Sequence, residues 1–314
     1  MTDAQAAPQQ QSALGTFSDE LASVVERAAR SIVTVAARPR QSASGILWRT
    51  ETETVVLTAD HVVEREDDIN VTLPDGRKVK AQLVGRDPGT DLAVLRLPGT
   101  DLGTANVAAE TAEGAKVGHL VLAIGRPTDG GPRVSFGAIS SIEGPHRSWH
   151  GSEIENIIFA DVTLYPGFSG GPLVDLAGRV VGLNSSHLAR QSSTALPVVT
   201  LRRVANTLVT HGKVKRGYLG IGTQQVPLPA ALAQKAGVSQ EAALLIATIE
   251  AGSPAEQAGL LIGDLLLTLG GQSVSDAETL RAQLGGDKLG QSTAAKIVRG
   301  GEPQEIAVII GERA

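Results

Sequence analysis

Three short segments carry side chains whose types and surroundings suit nucleophilic catalysis. Thr58-Ala59-Asp60-His61-Val62-Val63 places a histidine just past a β-type run. Asp87-Pro88-Gly89-Thr90-Asp91-Leu92-Ala93-Val94-Leu95 places an aspartate immediately before another such run. Gly167-Phe168-Ser169-Gly170-Gly171-Pro172 sets a serine in a glycine-rich turn. A serine hydroxyl is a poor nucleophile at neutral pH and needs a base to take its proton. Histidine, with an unperturbed pKa of about 6.5, suits that task. The imidazole in turn needs an acceptor that fixes its tautomer and stabilises the imidazolium, which an aspartate supplies. The glycines let the backbone turn tightly enough for N–H groups to face a developing oxyanion. Each residue taken singly has a plain structural reading: a solvated or core histidine, a strand-start aspartate, a surface turn. The combination, each member in a fitting local context, points to catalysis.

The elements that must hold these residues are mostly strands. From Ile32 to about Leu201 the chain alternates short β-type runs with turns, among them Ile32-Val33-Thr34-Val35, Ile46-Leu47-Trp48, Val55-Val56-Leu57-Thr58, Ala93-Val94-Leu95 and Val180-Val181-Gly182-Leu183. Strands at short regular spacing with Gly, Pro and Asp between them favour a barrel or sandwich. Glycine makes up 36 of 314 residues, above the roughly 7% of an average chain, as turn-rich all-β folds require. Residues 1–17 read as a disordered tail, and Ser18 with Asp19 and Glu20 as a helix start. A helix is expected over Leu201–Thr210, followed by a short basic linker, Gly212-Lys213-Val214-Lys215-Arg216, and a second unit mixing helices and strands.

Composition removes several classes of function. The net charge of −5 comes without a basic block, so the footprint of a nucleic-acid binder is missing. With no cysteine, disulfides, thiolate zinc sites and a cysteine nucleophile are excluded. The longest unbroken apolar run, Ala242–Ala247, falls far short of the roughly 18–20 residues of a membrane span. Met1 to Thr16 has no cationic start and no apolar h-region. As written, that suggests a cytoplasmic protein; a removed leader would make it periplasmic or otherwise extracytoplasmic.

The order His, Asp, Ser is that of chymotrypsin-type proteases. In detail the chain resembles HtrA/Deg-type serine proteases through VLTADHVV, GTDLAVLRL, VGHLVLAIGRP, YPGFSGGPLVDLAGRVVGLNSS, RGYLGI and AGSPAEQAGLLIGDLLLTLGG. The matching stretches run from about residue 20 to the end. The resemblance implies a mainly β fold, a chymotrypsin-like double β-barrel followed by an α+β PDZ domain. Its boundaries would be a tail at 1–17, a protease domain at 18–211, a linker at 212–216 and the PDZ domain at 217–314. It also implies His61 as base, Asp91 as its orienter and Ser169 as nucleophile, with an oxyanion hole from the N–H groups of Gly167 and Ser169. No cofactor and no metal is implied; His146 and His150 sit in a loop without carboxylate support. That loop, Gly144 to His150, lies where the family carries the sensor of PDZ occupancy.

The chain departs from the family pattern at two positions beside the site. Phe168 stands where Asn is usual before the serine, and Thr-Ala-Asp-His replaces Thr-Asn-Asn-His, placing Asp60 beside the base. A bulky side chain at Phe168 is expected to bear on the oxyanion turn or on substrate. Thr163, six residues before the serine, replaces the aspartate of proteases that cut after Lys or Arg. With Leu164 it implies a pocket for small or medium aliphatic residues. His187 falls at a second pocket position, unless a one-residue slip puts Leu188 there. In the second unit, Tyr218-Leu219-Gly220-Ile221 matches the loop that offers N–H groups to a peptide C-terminal carboxylate, and the strand from Ile221 would pair with the peptide. A helix around 277–284 would supply the other groove wall, with Leu280 and Leu284 facing in. The resemblance further implies a homotrimer. Three function classes stand: an ATP-independent endopeptidase for unfolded or misfolded proteins, a catalytically silent binding or chaperone protein, and a regulatory protease with one dedicated substrate.

Overall fold

The computed structural model describes residues 12–100, 102, 112–128, 130–144, 146–147, 153–154, 156–189, 193–214, 217–285 and 288–312. The chain divides into two compact units, the first ending at Lys213 and the second running from Val214. The expected tail, sensor loop and linker therefore fall partly outside the described residues.

A helix opens the first unit, earlier than the sequence suggests. It spans Ala13–Ala29, and Ser12 rather than Ser18 is its cap, the hydroxyl accepting from Gly15 N at 3.1 Å. Residues 13–17 therefore belong to a helix and not to the tail; the Gly15-Thr16 pair disguises its first turn. Val24, Ala28 and Ala29 bury its inner face.

Two closed six-stranded barrels follow, both antiparallel. The first runs in the order Ile32–Ala36, Ala43–Arg49, Thr54–Ala59, Leu92–Arg96, Lys78–Asp87, Ile69–Thr72 and back to the start. Its interior is filled by aliphatic side chains, among them Val33, Val35, Leu47, Val56, Ile69 and Leu95. The second barrel runs Ile157–Ala160, Thr194–Pro197, Val180–Ser185, Pro172–Asp175, Leu120–Gly125, Arg133–Glu143. Val121, Ala123, Ile139, Ile158, Leu173 and Val181 fill its core. Closure leaves neither barrel with a free sheet edge. A helix at Val198–His211 closes the unit. It buries Val198, Leu201, Val204, Ala205 and Leu208 along one face and ends at Gly212 with φ +73°. It starts three residues before the expected Leu201, directly where the last strand ends at Pro197.

The second unit is a sheet with short helices. Its strand order is Ile221–Pro227, Ala242–Ile249, Leu265–Leu269, Ser292–Arg299, Glu302–Ile309. Leu244, Ile246, Leu266, Ile297 and Val308 form its core. The helix Ala277–Ala282 starts from a capping box in which Asp276 and Thr279 exchange side-chain and backbone bonds. No helix among the described residues is long and apolar enough to cross a membrane.

Candidate active site

Strand register brings the histidine and the aspartate together. Ala59 pairs with Leu92, so the next residues outward, Asp60 and Asp91, meet across the ladder, and Asp60 N donates to Asp91 O at 3.0 Å. His61 follows in the short turn Asp60–Val62. Its backbone N–H donates to Asp91 Oδ1 at 2.9 Å, and its Nδ1 lies 2.9 and 2.8 Å from Oδ1 and Oδ2. With Nδ1–H donating to the carboxylate, Nε2 is left as the acceptor. Asp91 itself has φ +53°, a conformation that Asp tolerates better than most residues. The turn before it is fixed by buried Asp87, whose carboxylate accepts from Gly89 N at 3.2 Å and Thr90 Oγ1 at 2.9 Å.

A third donor reaches Asp91 from the other barrel: Ser185 Oγ, at 2.5 Å from Oδ2. A buried carboxylate without such partners would be costly. Asp91 thus ties the two barrels together as well as holding the imidazole.

Ser169 stands on a turn that only glycine permits. Phe168 N donates to Tyr165 O at 2.9 Å, with Pro166 and Gly167 at the central positions and Gly167 at φ +88°, the pattern of a type II turn. At Gly170, also at positive φ, a Cβ would lie 2.1 Å from Ser44 O. Ser44 holds this turn from the first barrel. Its hydroxyl donates to Gly167 O at 2.6 Å and accepts from Arg126 N at 2.8 Å, while its N–H donates to Ser169 O at 3.2 Å. Among the described residues neither Gly167 N nor Ser169 N donates a backbone hydrogen bond.

Phe168 does not face substrate. Its side chain is fully buried in the second barrel core. It lies edge-on to Tyr165 at 5.4 Å and against Gly125, where a Cβ would come within 2.7 Å of its ring. The ring thus fills core volume rather than protruding, and it reaches the turn through Tyr165.

Ser169, the expected nucleophile, rests on a different partner from the expected one. Ser169 Oγ is hydrogen-bonded to Ser186 Oγ at 3.2 Å and makes no such bond to His61. His187 stacks its ring on that of His61, centroids 3.8 Å apart and planes 23° from parallel. Burial disfavours protonation of His187, and the neighbouring His61 and Arg38 add to this, against the opposing charges of Asp91 and Asp60. Its pKa is therefore lowered. Thr163 is exposed, its N–H donating to Ser135 Oγ at 2.8 Å. Leu164 is half-buried against the second barrel core.

In the second unit the strand Ile221–Pro227 lies at the edge of the sheet, pairing with Ala242–Ile249 on one side. The preceding loop is locked from behind: Leu219 O accepts from Ala255 N at 2.9 Å and Gly220 O from Glu250 N at 2.8 Å. Leu219 is 2% exposed and belongs to the core. The Tyr218 hydroxyl donates to the Glu250 carboxylate. Leu280 is likewise core, and Leu284 is half-buried against it. Ser44, Ser185 and Ser186 escape the sequence reading, since small polar residues in or beside strands carry no spacing signal.

This fold and site define a chymotrypsin-like double barrel followed by a PDZ domain. A trypsin-like peptidase domain matches residues 43–183, and a PDZ domain matches 217–310. Among solved structures, the HtrA-type protease AlgW with decapeptide is 30% identical. It covers 94% of this chain and 99% of that one, with TM-score 0.72. The serine endoprotease from Yersinia pestis is 27% identical over 94% and 98%, with TM-score 0.72. The chain belongs to the HtrA family of serine proteases. Probable periplasmic DegP-like serine endoproteases of Pseudomonas savastanoi pv. phaseolicola and Halomonas elongata are each 37% identical over 82% of this chain. The chain spans about half the length of these curated relatives, 53% and 54%. Their names match the extracytoplasmic alternative; the cytoplasmic expectation finds no support among them.

Proposed function

We propose that this chain is an ATP-independent serine endopeptidase acting on unfolded or misfolded proteins outside the cytoplasm, with its protease part at 13–211 and its PDZ domain at 217–314. The observation that carries the reading is His61 Nδ1 held at 2.8 Å by the Asp91 carboxylate, with Ser169 on a turn whose backbone donors at Gly167 and Ser169 are uncommitted. Ser169 Oγ attacks the scissile carbonyl as its proton passes to His61 Nε2, and Asp91 stabilises the imidazolium. The N–H groups of Gly167 and Ser169 receive the oxyanion. His61 then protonates the leaving amine, and water resolves the acyl-enzyme by the same steps in reverse roles. The bond from Ser169 Oγ to Ser186 is a resting one. A hydroxyl turns about its side-chain torsion at low cost, and catalytic hydrogen bonds often tighten only with substrate bound.

Thr163 and Leu164 support cleavage after small or medium aliphatic residues, with His187, stacked on the His61 ring, as the second pocket position. Predominant cutting after Arg or Lys in a peptide library would refute this. The free edge of Ile221–Pro227 supports C-terminal peptides as ligands of the PDZ groove through Tyr218–Ile221, Leu219 acting from the core. Equal affinity for free and amidated C-termini would count against it. The family resemblance implies a homotrimer; exposed Leu14, Phe17, Val134 and Phe136, with Phe17 and Phe136 edge-on at 6.4 Å, support an interface between copies, and a monomer or dimer mass by sedimentation would exclude the trimer.

The deciding experiment is digestion of denatured casein by the wild type and by Ser169→Ala. Loss of a triad serine costs up to about 10⁶-fold in rate; equal digestion by both would overturn the reading. The resting Ser169–Ser186 bond is what a silent binding protein would also show, and in that case neither protein digests casein.

A further inference from the structure

The residue before the base is an acid, Asp60, and it is nearly buried, its side chain 9% exposed. An isolated carboxylate there, one residue before the base, would be costly. It is not isolated. Arg86 Nε donates to Asp60 Oδ1 at 2.5 Å, and Arg86 Nη2 reaches Asp60 O at 3.4 Å. One guanidinium thus grips both the side chain and the backbone of the turn that carries His61.

Arg86 is itself firmly placed. It lies in the strand Lys78–Asp87 and pairs with Ala93 of the strand that Asp91 precedes. Its backbone also bridges to Lys213. The next residue is Asp87, whose carboxylate shapes the turn leading to Asp91. The hydrogen bond to Asp60 holds Arg86 above the ordinary arginine range against its partial burial, with the charges of Asp60, Glu66 and Asp91 adding.

We propose that Asp60 and Arg86 are a positioning pair for the base: they clamp the His61 turn to the strand Lys78–Asp87, which leads into the Asp91 turn, and their charge balance sets how readily His61 takes a proton. The inference rests on the reading of His61 as general base. Among the described residues, the other charged or titratable groups acting on this cluster include Asp91, at the imidazole Nδ1, and His187, on its face, with Arg38 acting on His187 and Glu66 on Arg86. Neither Asp60 nor Arg86 touches the reacting atoms as placed. Their influence runs through backbone position and field.

The field has a sign that can be read. An opposite charge nearby favours the protonated imidazole, and a like charge disfavours it. Arg86→Gln leaves Asp60 uncompensated, so the acidic limb of the kcat/KM profile moves to higher pH. Asp60→Asn leaves Arg86 uncompensated, so the limb moves to lower pH. Each shift is expected to be about half a pH unit, and the double substitution should return the limb close to the wild-type position. Arg86→Lys keeps the charge but loses the two-point grip, so it should lower kcat while leaving the limb in place.

The experiment is the pH profile of Ser169-dependent cleavage of an unstructured peptide by the full chain and these four variants, with thermal melts alongside. Opposite shifts that cancel in the double variant support the pair. Shifts of the same sign, or lost activity with an unmoved limb in both single variants, reduce the pair to a structural salt bridge and overturn the inference. If Arg86→Gln does not fold, Asp60→Asn and Arg86→Lys decide: no downward shift in the first, or a shifted limb in the second, overturns it. Absence of any Ser169-dependent cleavage by the wild type would instead defeat the reading of the site, and this inference with it.

Discussion

The two halves of the active site are built by different means. The base half is a product of strand register: Ala59 opposite Leu92 forces His61 and Asp91 together, and three hydrogen bonds from His61 and Ser185 converge on one buried carboxylate. The nucleophile half is a product of turn chemistry. Gly167 and Gly170 adopt conformations closed to other residues, and Ser44 pins the turn from the opposite barrel. A buried carboxylate has few tolerable arrangements, because each unsatisfied acceptor is costly. A serine hydroxyl has several, because it rotates and serves as donor or acceptor. So the base half is complete at rest, while Ser169 Oγ lies on Ser186. On the proposed mechanism, Ser169 Oγ must exchange Ser186 for His61 when substrate binds.

The strongest way to break this comparison is to damage the half described as complete. Asp91→Asn keeps the shape but presents an amide to the Nδ1 of His61, favouring the wrong tautomer. A fall in kcat of about 10⁴-fold is expected, with the fold retained. Steady-state cleavage of an unstructured peptide, with circular dichroism as the control, measures it. A fall below tenfold would mean that the carboxylate is a structural tie between the barrels and little else.

A gentler change sharpens the other half. Ser186→Ala removes the resting partner of Ser169 without touching His61 or Asp91. One neutral hydrogen bond contributes about 1 kcal/mol net, so releasing Ser169 Oγ should raise its reaction rate with a fluorophosphonate by up to about fivefold. A large loss instead would show that Ser186 takes part in the productive geometry.

The same contrast explains what was legible in the sequence. The histidine, aspartate and serine stand out because each keeps its chemistry inside a local motif, and the strands around them carry runs of Val, Ile and Leu. The partners that complete the halves do not stand out. Ser44 and Ser185 look like any small polar residue in a strand, and only barrel closure brings them to Gly167 and Asp91. Phe168 read as an intrusion because its complement, the bare Cα of Gly125, is distant in the chain. Only the first turn of the first helix is hidden, by Gly15 and Thr16, whose low propensity is overridden by the Ser12 cap and the packing of Val24 and Ala28. In the second unit, Leu219 read as part of a ligand loop, yet its side chain fills the core. A loop's backbone and its side chain can serve different purposes, and sequence alone does not separate them.

The smallest expected effect lies where the two halves meet, at His187 stacked on His61. Burial, His61 and Arg38 lower the pKa of His187 in the folded chain. The unfolded chain then binds more protons at this position than the folded one as pH drops below about 6.5. Stability contributed by the neutral ring is present above that pH and is lost on acidification, down to the folded-state value. His187→Leu removes the titration while keeping an apolar side chain over the base. The variant should therefore lose less melting temperature than the wild type between pH 7.5 and pH 5.5, with the two closest in slope at the upper end. Parallel melting curves across that range would mean that His187 titrates alike in both states. In that case the stack imposes no measurable proton cost, and the surface over His61 behaves as solvent.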